Sequence, residues 1–410
     1  MKKLISSVLV VFILLSCEEN SNNPEFPTEE KVIDLSLESK AMVSTDNQFG
    51  IDIFKRMVTD DQDKNLMISP LSISQALLMT YNGAIESTKT AFEKTLYLHE
   101  LTKEEVNQAQ KELTDELLNA DPGVKLNIAN SIWYKQGISV KPEFVQVNHD
   151  YYNAEVNEVV FDQAAVNLIN DWVFDNTNGK IDQVIEQIDP LAIMFLINAV
   201  YFKGNWKYTF EESNTINDEF NLSNGDNVSV PFMNQELTAN MMFHDDFSMV
   251  ELPYGRGNFS MLIFLPEENK TINHILDELN NENYKKWLDS MQETNIALSI
   301  PKFKFKYENV LNDYLSAMGL SVAFDPLEAD FSDITESMDL YIDFVKHKSF
   351  IEVNEVGTEA AAVTVVGINT TSIEPSYSEF IVNHPFLFAI REKYTNAILF
   401  MGKVEDPSKE

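Results

Sequence analysis

The chain is poor in cysteine: Cys17 is the only one in 410 residues. No intrachain disulfide can form, and structural zinc held by thiolates is excluded. Positive charge is also scarce. Thirty Lys and Arg stand against 65 Asp and Glu, a formal charge of −35. Such a surface repels phosphate backbones, so no nucleic-acid partner is expected. Signatures of chemistry are missing too. No two of the six histidines, His99, His149, His244, His274, His347 and His384, have the i, i+4 spacing of a helical zinc site. There is no G-x-S-x-G elbow and no P-loop. Gly255-Arg256-Gly257 lacks the third glycine of a dinucleotide fingerprint, and Asp60-Asp61-Gln62-Asp63 lacks the glycine and closing glutamate of a calcium loop. No metal, no cofactor and no catalytic constellation is expected.

What is there begins with an address. Lys2 and Lys3 precede Leu4 to Leu15, an uncharged and mostly apolar stretch. As a helix it spans about 18 Å, short of the roughly 30 Å of a bilayer core. Residues 1–16 read as a signal peptide. Leu14-Leu15-Ser16-Cys17 resembles a bacterial lipobox, which makes Cys17 the lipidation site and acyl chains the membrane anchor. The expected location is the cell envelope, at the outer membrane or cell surface. Residues 17–40 are acidic, with Pro24, Pro27 and several Asn, and read as a tether.

From residue 41 to 410 the chain reads as one large unit, because helical and strand patterns alternate without a linker. Phe49, Ile53, Phe54, Met57 and Val58 have helical spacing, and Ser69-Pro70 has the form of a helix start. The apolar face of that second helix is Ile73, Leu77, Leu78 and Tyr81. Leu126 to Trp133 alternates like a half-buried strand. Leu191 to Phe202 is nearly all apolar and reads as a strand buried on two faces, with Asn198 as a satisfied core amide. Phe386 to Ile390 and Ala397 to Val404 form a hairpin. With 44% hydrophobic residues the chain can build a sizeable core. The class is α+β.

One segment is unusual. Between Glu359 and Glu374 lie fourteen residues without a charge. In an extended chain one face carries Thr358, Ala360, Ala362, Thr364, Val366, Ile368 and Thr370, all uncharged. Gly357, just upstream, permits an unusual backbone turn. From composition alone this is a buried strand followed by a loop.

The flanking residues say more. Val353-Asn354-Glu355-Val356-Gly357-Thr358-Glu359-Ala360-Ala361-Ala362 resembles the hinge signature of the serpins, a family of protease inhibitors. Asn198 to Trp206, His384 to Phe388, Phe400 to Val404 and Asn65 to Ile73 resemble further motifs of that family, in family order. The resemblance implies a fold of three β-sheets with eight or nine helices and an exposed reactive loop, here about 357–380. It implies a suicide-substrate inhibitor of serine, and also of cysteine, endopeptidases, acting as a monomer. The alternative within the resemblance is a non-inhibitory binding or carrier lipoprotein. Non-inhibitory relatives tend to carry bulky, charged or proline residues in the hinge, where this chain has small ones.

Counting from Gly357 as in the family puts the reactive bond at Thr371–Ser372; counting back from Pro385 lands near Glu374–Pro375, a bond proteases rarely cut. Thr371 would suit an elastase-like or subtilisin-like pocket, since it lacks the positive charge that a trypsin-like pocket takes. By the same resemblance Ser69, Ser72, Asn198 and His347 form the polar cluster under the central sheet. Trp206 stands where insertion starts, and Glu355 makes an exposed pair with Lys302. Val356, Val363, Val365 and Val366 depart from the family pattern without adding a charge or a proline to the hinge.

Overall fold

The computed structural model describes residues 29–98, 101–189, 192–336, 340–358 and 377–410. Cys17, the hinge residues Glu359, Ala360, Ala361 and Ala362, and the bond Thr371–Ser372 lie outside them. Among the described residues are nine α-helices and two hydrogen-bonded strand networks, of nine and six strands. The expected count of three sheets differs only in connection. The 17-residue strand Asn227–Phe243 pairs with Ile216–Asn221 at its start and with Phe247–Tyr254 at its end. Along its middle it pairs with Gln292–Pro301. One long strand thereby fuses two sheets.

The first helix, Leu37–Asp60, is capped by Ser36, whose hydroxyl accepts from the Ser39 N–H. This corrects the tether boundary at residue 40, which falls inside the helix. Packing begins earlier still: Ile33 and Leu35 are buried, Lys31 pairs with Glu116 and Glu30 with Lys393. Two apolar residues in an acidic stretch are too few to register as a period, yet they seal the edge of the core.

Helix Pro70–Tyr81 starts as its sequence implies, with Ser69 as cap and Pro70 in the first turn. Every residue in it except Ala76 is buried. A helix buried all round has no wet face, so Ser72, Ser74 and Gln75 become core groups that need partners. The C-terminal hairpin, Phe386–Glu392 with Ile398–Val404, is buried along both strands and pairs outward with Phe259–Pro266 and Leu66–Ile68.

The six-stranded sheet runs Phe303–Val310, Lys346–Val353, Gly357–Thr358, Met194–Asn205, Val124–Lys135, Glu155–Val159. A strand forms in the apolar run, as expected, over Met194–Asn205, but it is not buried on both faces: Met194 to Asn198 are half-buried. The cause is a cavity along its edge, described next.

Candidate functional site

The strand Lys346–Val353 ends in a tight turn. The Asn354 N–H donates to Gly357 O at 3.0 Å, and the Gly357 N–H donates back to Asn354 O at 3.2 Å. The Asn354 side-chain oxygen also accepts from the Val356 N–H at 3.1 Å. The chain then returns as the two-residue strand Gly357–Thr358. Thr358 stands opposite Val353 on one side and Gly204 on the other. Gly357 is there because of close approach: a Cβ would lie 2.1 Å from the Gly204 carbonyl oxygen.

Aromatic residues fix this corner. Trp206 stacks on Tyr254, with ring centroids 4.4 Å apart and planes 12° from parallel. Its Nε1–H donates to Asn354 O at 2.9 Å, and its backbone N–H to Val356 O at 2.8 Å. Tyr254 places its hydroxyl 2.5 Å from Thr358 Oγ1. Burial pushes the Tyr254 phenol far up, so it stays protonated.

Glu355 corrects an expectation. The pair with Lys302 forms, at 2.8 Å, but the carboxylate is buried rather than exposed. Its backbone carbonyl accepts from the Phe210 N–H at 2.9 Å, which draws the turn inward, and Thr215 Oγ1 donates to the carboxylate at 2.8 Å. Burial pushes this carboxyl up; the bonds from Lys302 and Thr215 and the Lys302 charge outweigh it and hold the group below its ordinary range.

Below Thr358, among the described residues, the strands Lys346–Val353 and Met194–Asn205 are joined only through Gly357–Thr358. A cavity of about 410 Å³ lies there, and Ser69, Ser72, Asn198 and His347 all line it, with Ile73, Leu77 and Leu196. The structure thus gathers four of the residues that the sequence singled out. It does not place Trp206 with them: eight residues of strand, about 26 Å, separate it from Asn198.

His347 Nε2 accepts from the Ser69 N–H at 3.2 Å. Burial pushes the imidazole down to about 4, so it is neutral near pH 7. Ser69 Oγ accepts from the Ser72 N–H at 3.2 Å. The serine hydroxyl oxygen serves the helix cap, and His347 meets the Ser69 backbone N–H.

Asn198 is held by an amide clasp. Its Nδ2 donates to Gln75 Oε1 at 3.0 Å and to Asn130 Oδ1 at 2.7 Å, and Asn130 Nδ2 donates to Tyr152 O at 2.8 Å. Asn130 is the direct cross-strand neighbour of Asn198. The expectation of a satisfied core amide is only half met, because Asn198 Oδ1 is buried without a partner. Gln75, Asn130 and Tyr254 were not singled out from sequence. The available signal was a polar side chain inside each apolar run, at Gln75 and Asn130. These groups clamp and align strands beside a ladder edge that is unpaired among the described residues.

The chain matches the family described as Serpin (serine protease inhibitor) across residues 44–407. It is 34% identical to an uncharacterized serpin-like protein of Thermococcus kodakarensis, with 98% of each chain covered. It is 32% identical to the human leukocyte elastase inhibitor, covering 89% of this chain and 99% of that one. Among solved structures it is similar to the thermophilic serpin tengpin in its native state, with a TM-score of 0.83, 35% identity and coverage of 92% and 96%.

Proposed function

The chain belongs to the serpin family, and on that premise we propose that it inhibits serine endopeptidases as a suicide substrate. The protease serine attacks the reactive bond and becomes acylated by the loop. The cut loop then enters the six-stranded sheet and carries the protease with it. Serpin loop insertion is an established case of strand addition.

One observation carries this reading: Gly357–Thr358 already stands as a strand between Lys346–Val353 and Met194–Asn205, at the head of the cavity. Its register has consequences. Continued down the sheet, the chain would bring Thr364 into one row with Asn198 and His347. By the same count Thr371 would fall level with positions 191 and 340, beyond the first residues of both strands, Met194 and Lys346. Fourteen residues from Thr358 to Thr371 span about 46 Å. The face that shares the side of Thr358 holds no charge as far as Thr370, so insertion buries no unpaired ion, which would cost several kcal/mol. Thr358, Ala360 and Ala362 enter first and are small, which favours insertion over hydrolysis of the acyl bond.

The proposed reactive bond is Thr371–Ser372, and the proposed targets are elastase-like or subtilisin-like enzymes, with cysteine endopeptidases included. Cys17 carries the lipid and holds the protein at the outer membrane or cell surface, on the support of the lipobox; labelling with a fatty-acid analogue and loss of label in Cys17→Ala tests this. The inhibitory reading is tested by a panel of proteases run on denaturing gels. A complex that survives SDS is expected for at least one of them. If every protease that cuts the loop yields only two fragments, the protein is a binding or carrier member of the family.

A further inference from the structure

We propose that Asp46 is a proton-sensitive seat for helix Pro70–Tyr81, steadying the helix when protonated and loosening it when ionised. Asp46 lies on helix Leu37–Asp60 with its side chain in the interior. One oxygen accepts from Ser74 Oγ at 2.5 Å. The other, Oδ2, is buried without a partner. Ser74 adjoins Gln75, whose Oε1 accepts from Asn198 at 3.0 Å and from Asn130 at 3.4 Å. The same helical turn thus touches the buried acid on one side and the central strand on the other.

The surroundings offer no counter-charge. Helix Lys103–Leu118 presents the uncharged Asn107 and Gln110 to the interior. From helix Pro142–Tyr152 the Tyr152 phenol is coupled to Asp46, and Tyr81 acts on Tyr152 in turn. Burial pushes both phenols up, so neither ionises near neutrality. No Lys, Arg or His charge among the described residues acts on Asp46. Burial pushes its carboxyl up to about 7, with the Ser74 bond opposing only in part. His347, on strand Lys346–Val353 and bonded to the Ser69 cap of the same helix, is a second buried titratable group and is shifted the opposite way.

The sign follows from linkage. The folded chain holds the Asp46 proton more tightly than the unfolded one, whose carboxyl has the ordinary value of 3.8. The stability gained is full below that value, declines as pH rises, and is gone above about 7. At neutral pH the charge forms with the Ser74 hydroxyl as its one donor and Oδ2 unpartnered, which is costly in the interior. The effect on stability does not depend on the inhibitory reading.

The test is the melting temperature of the uncleaved protein between about pH 5.5 and about 8.5, for wild type and Asp46→Asn. The difference between them cancels His347. The variant should gain on the wild type by about 3 °C across that range, and Ser74→Ala should move the midpoint upward. A difference independent of pH, or one that shrinks, overturns the proposal and leaves the inhibitory reading intact. Should Asp46→Asn not fold, infrared titration of the wild type decides: a protonated-carboxyl band must fade near neutral pH, and its absence overturns the proposal equally.

Discussion

The Thr358 and Tyr254 hydroxyls meet at 2.5 Å, both buried, over the stacked ring of Trp206. Thr358 is therefore already in the core, and under the proposed mechanism the rest of the loop would follow the path it sets.

Thr358→Arg should break that path. A guanidinium there has no partner in the apolar corner, and burying it unpaired costs several kcal/mol. Loop insertion should slow by more than tenfold while cleavage continues. On a denaturing gel the variant should yield two fragments in place of an SDS-stable complex. If it still traps protease one to one, the corner does not control insertion.

Glu355→Gln should change how stability responds to acid. The carboxyl is held below its ordinary value of 4.5. Its stabilisation is present above that value and is lost as pH falls through the lower folded-state value. The wild type should lose melting temperature below about pH 4.5 more steeply than the variant. Near pH 7 the variant should be less stable by about 1–2 kcal/mol, the worth of a hydrogen-bonded charge partner. Equal slopes would show that the Lys302 pair contributes nothing.

His347 gives a distinct acid response. Its folded-state value is lowered from 6.5 to about 4, so the unfolded chain takes up the proton first. Stability is present above 6.5 and is lost as pH falls toward about 4. His347→Gln can keep an acceptor for the Ser69 N–H and cannot titrate. Unfolding at pH 7 and pH 5 should show the wild type losing on the order of 2 kcal/mol relative to the variant. An unchanged difference would mean that His347 is not buried in the neutral form.

What the sequence could and could not disclose follows from distance along the chain. The start of helix Pro70–Tyr81 was legible because Ser69 and Pro70 act within one turn. The C-terminal hairpin was legible because its two apolar strands are adjacent in sequence. The turn from Asn354 to Thr358 was marked in the sequence by its motif, while Glu359 to Ala362 lie outside the described residues. Gln75, Asn130 and Asn198 were not legible as a set, since they come from a helix and two strands and meet only in the folded sheet. The same holds for Tyr254 against Thr358. The joining of two sheets was hidden because Asn227–Phe243 changes partners midway while its sequence carries no break. The cavity beside Met194–Asn205 was hidden for a related reason: an apolar run signals burial but does not say on which sides.

Gln75→Ala tests the clasp. It removes the acceptor shared by Asn198 and Asn130, leaving Asn198 bonded only to Asn130. A loss of about 1–2 kcal/mol in the uncleaved form is expected. Hydrogen exchange should accelerate along Met194–Asn205 and leave Phe386–Glu392 unchanged. If exchange rises equally in both strands, the amides stabilise the fold at large and do not hold this strand in particular.

Cleavage of the loop should stabilise the protein, and Thr364 tells whether the register is right. A new central strand would satisfy ladder groups on both sides, and at about 1 kcal/mol net per bond the melting temperature should rise on the order of 10 °C. Thr364 would then stand opposite Asn198, at a Cβ separation of about 5 Å. Its hydroxyl could donate to Asn198 Oδ1, the oxygen that has no partner before insertion. Thr364→Val keeps the shape and removes the donor. The uncleaved forms should therefore melt alike, within about 1 °C, while the cleaved variant should fall below the cleaved wild type by about 1–3 kcal/mol for the orphaned acceptor. Mass spectrometry of the released C-terminal peptide fixes the bond, with Ser372 expected as its first residue. A melting temperature that does not rise on cleavage removes the spring from the mechanism. A rise that Thr364→Val leaves untouched moves the register and keeps the spring.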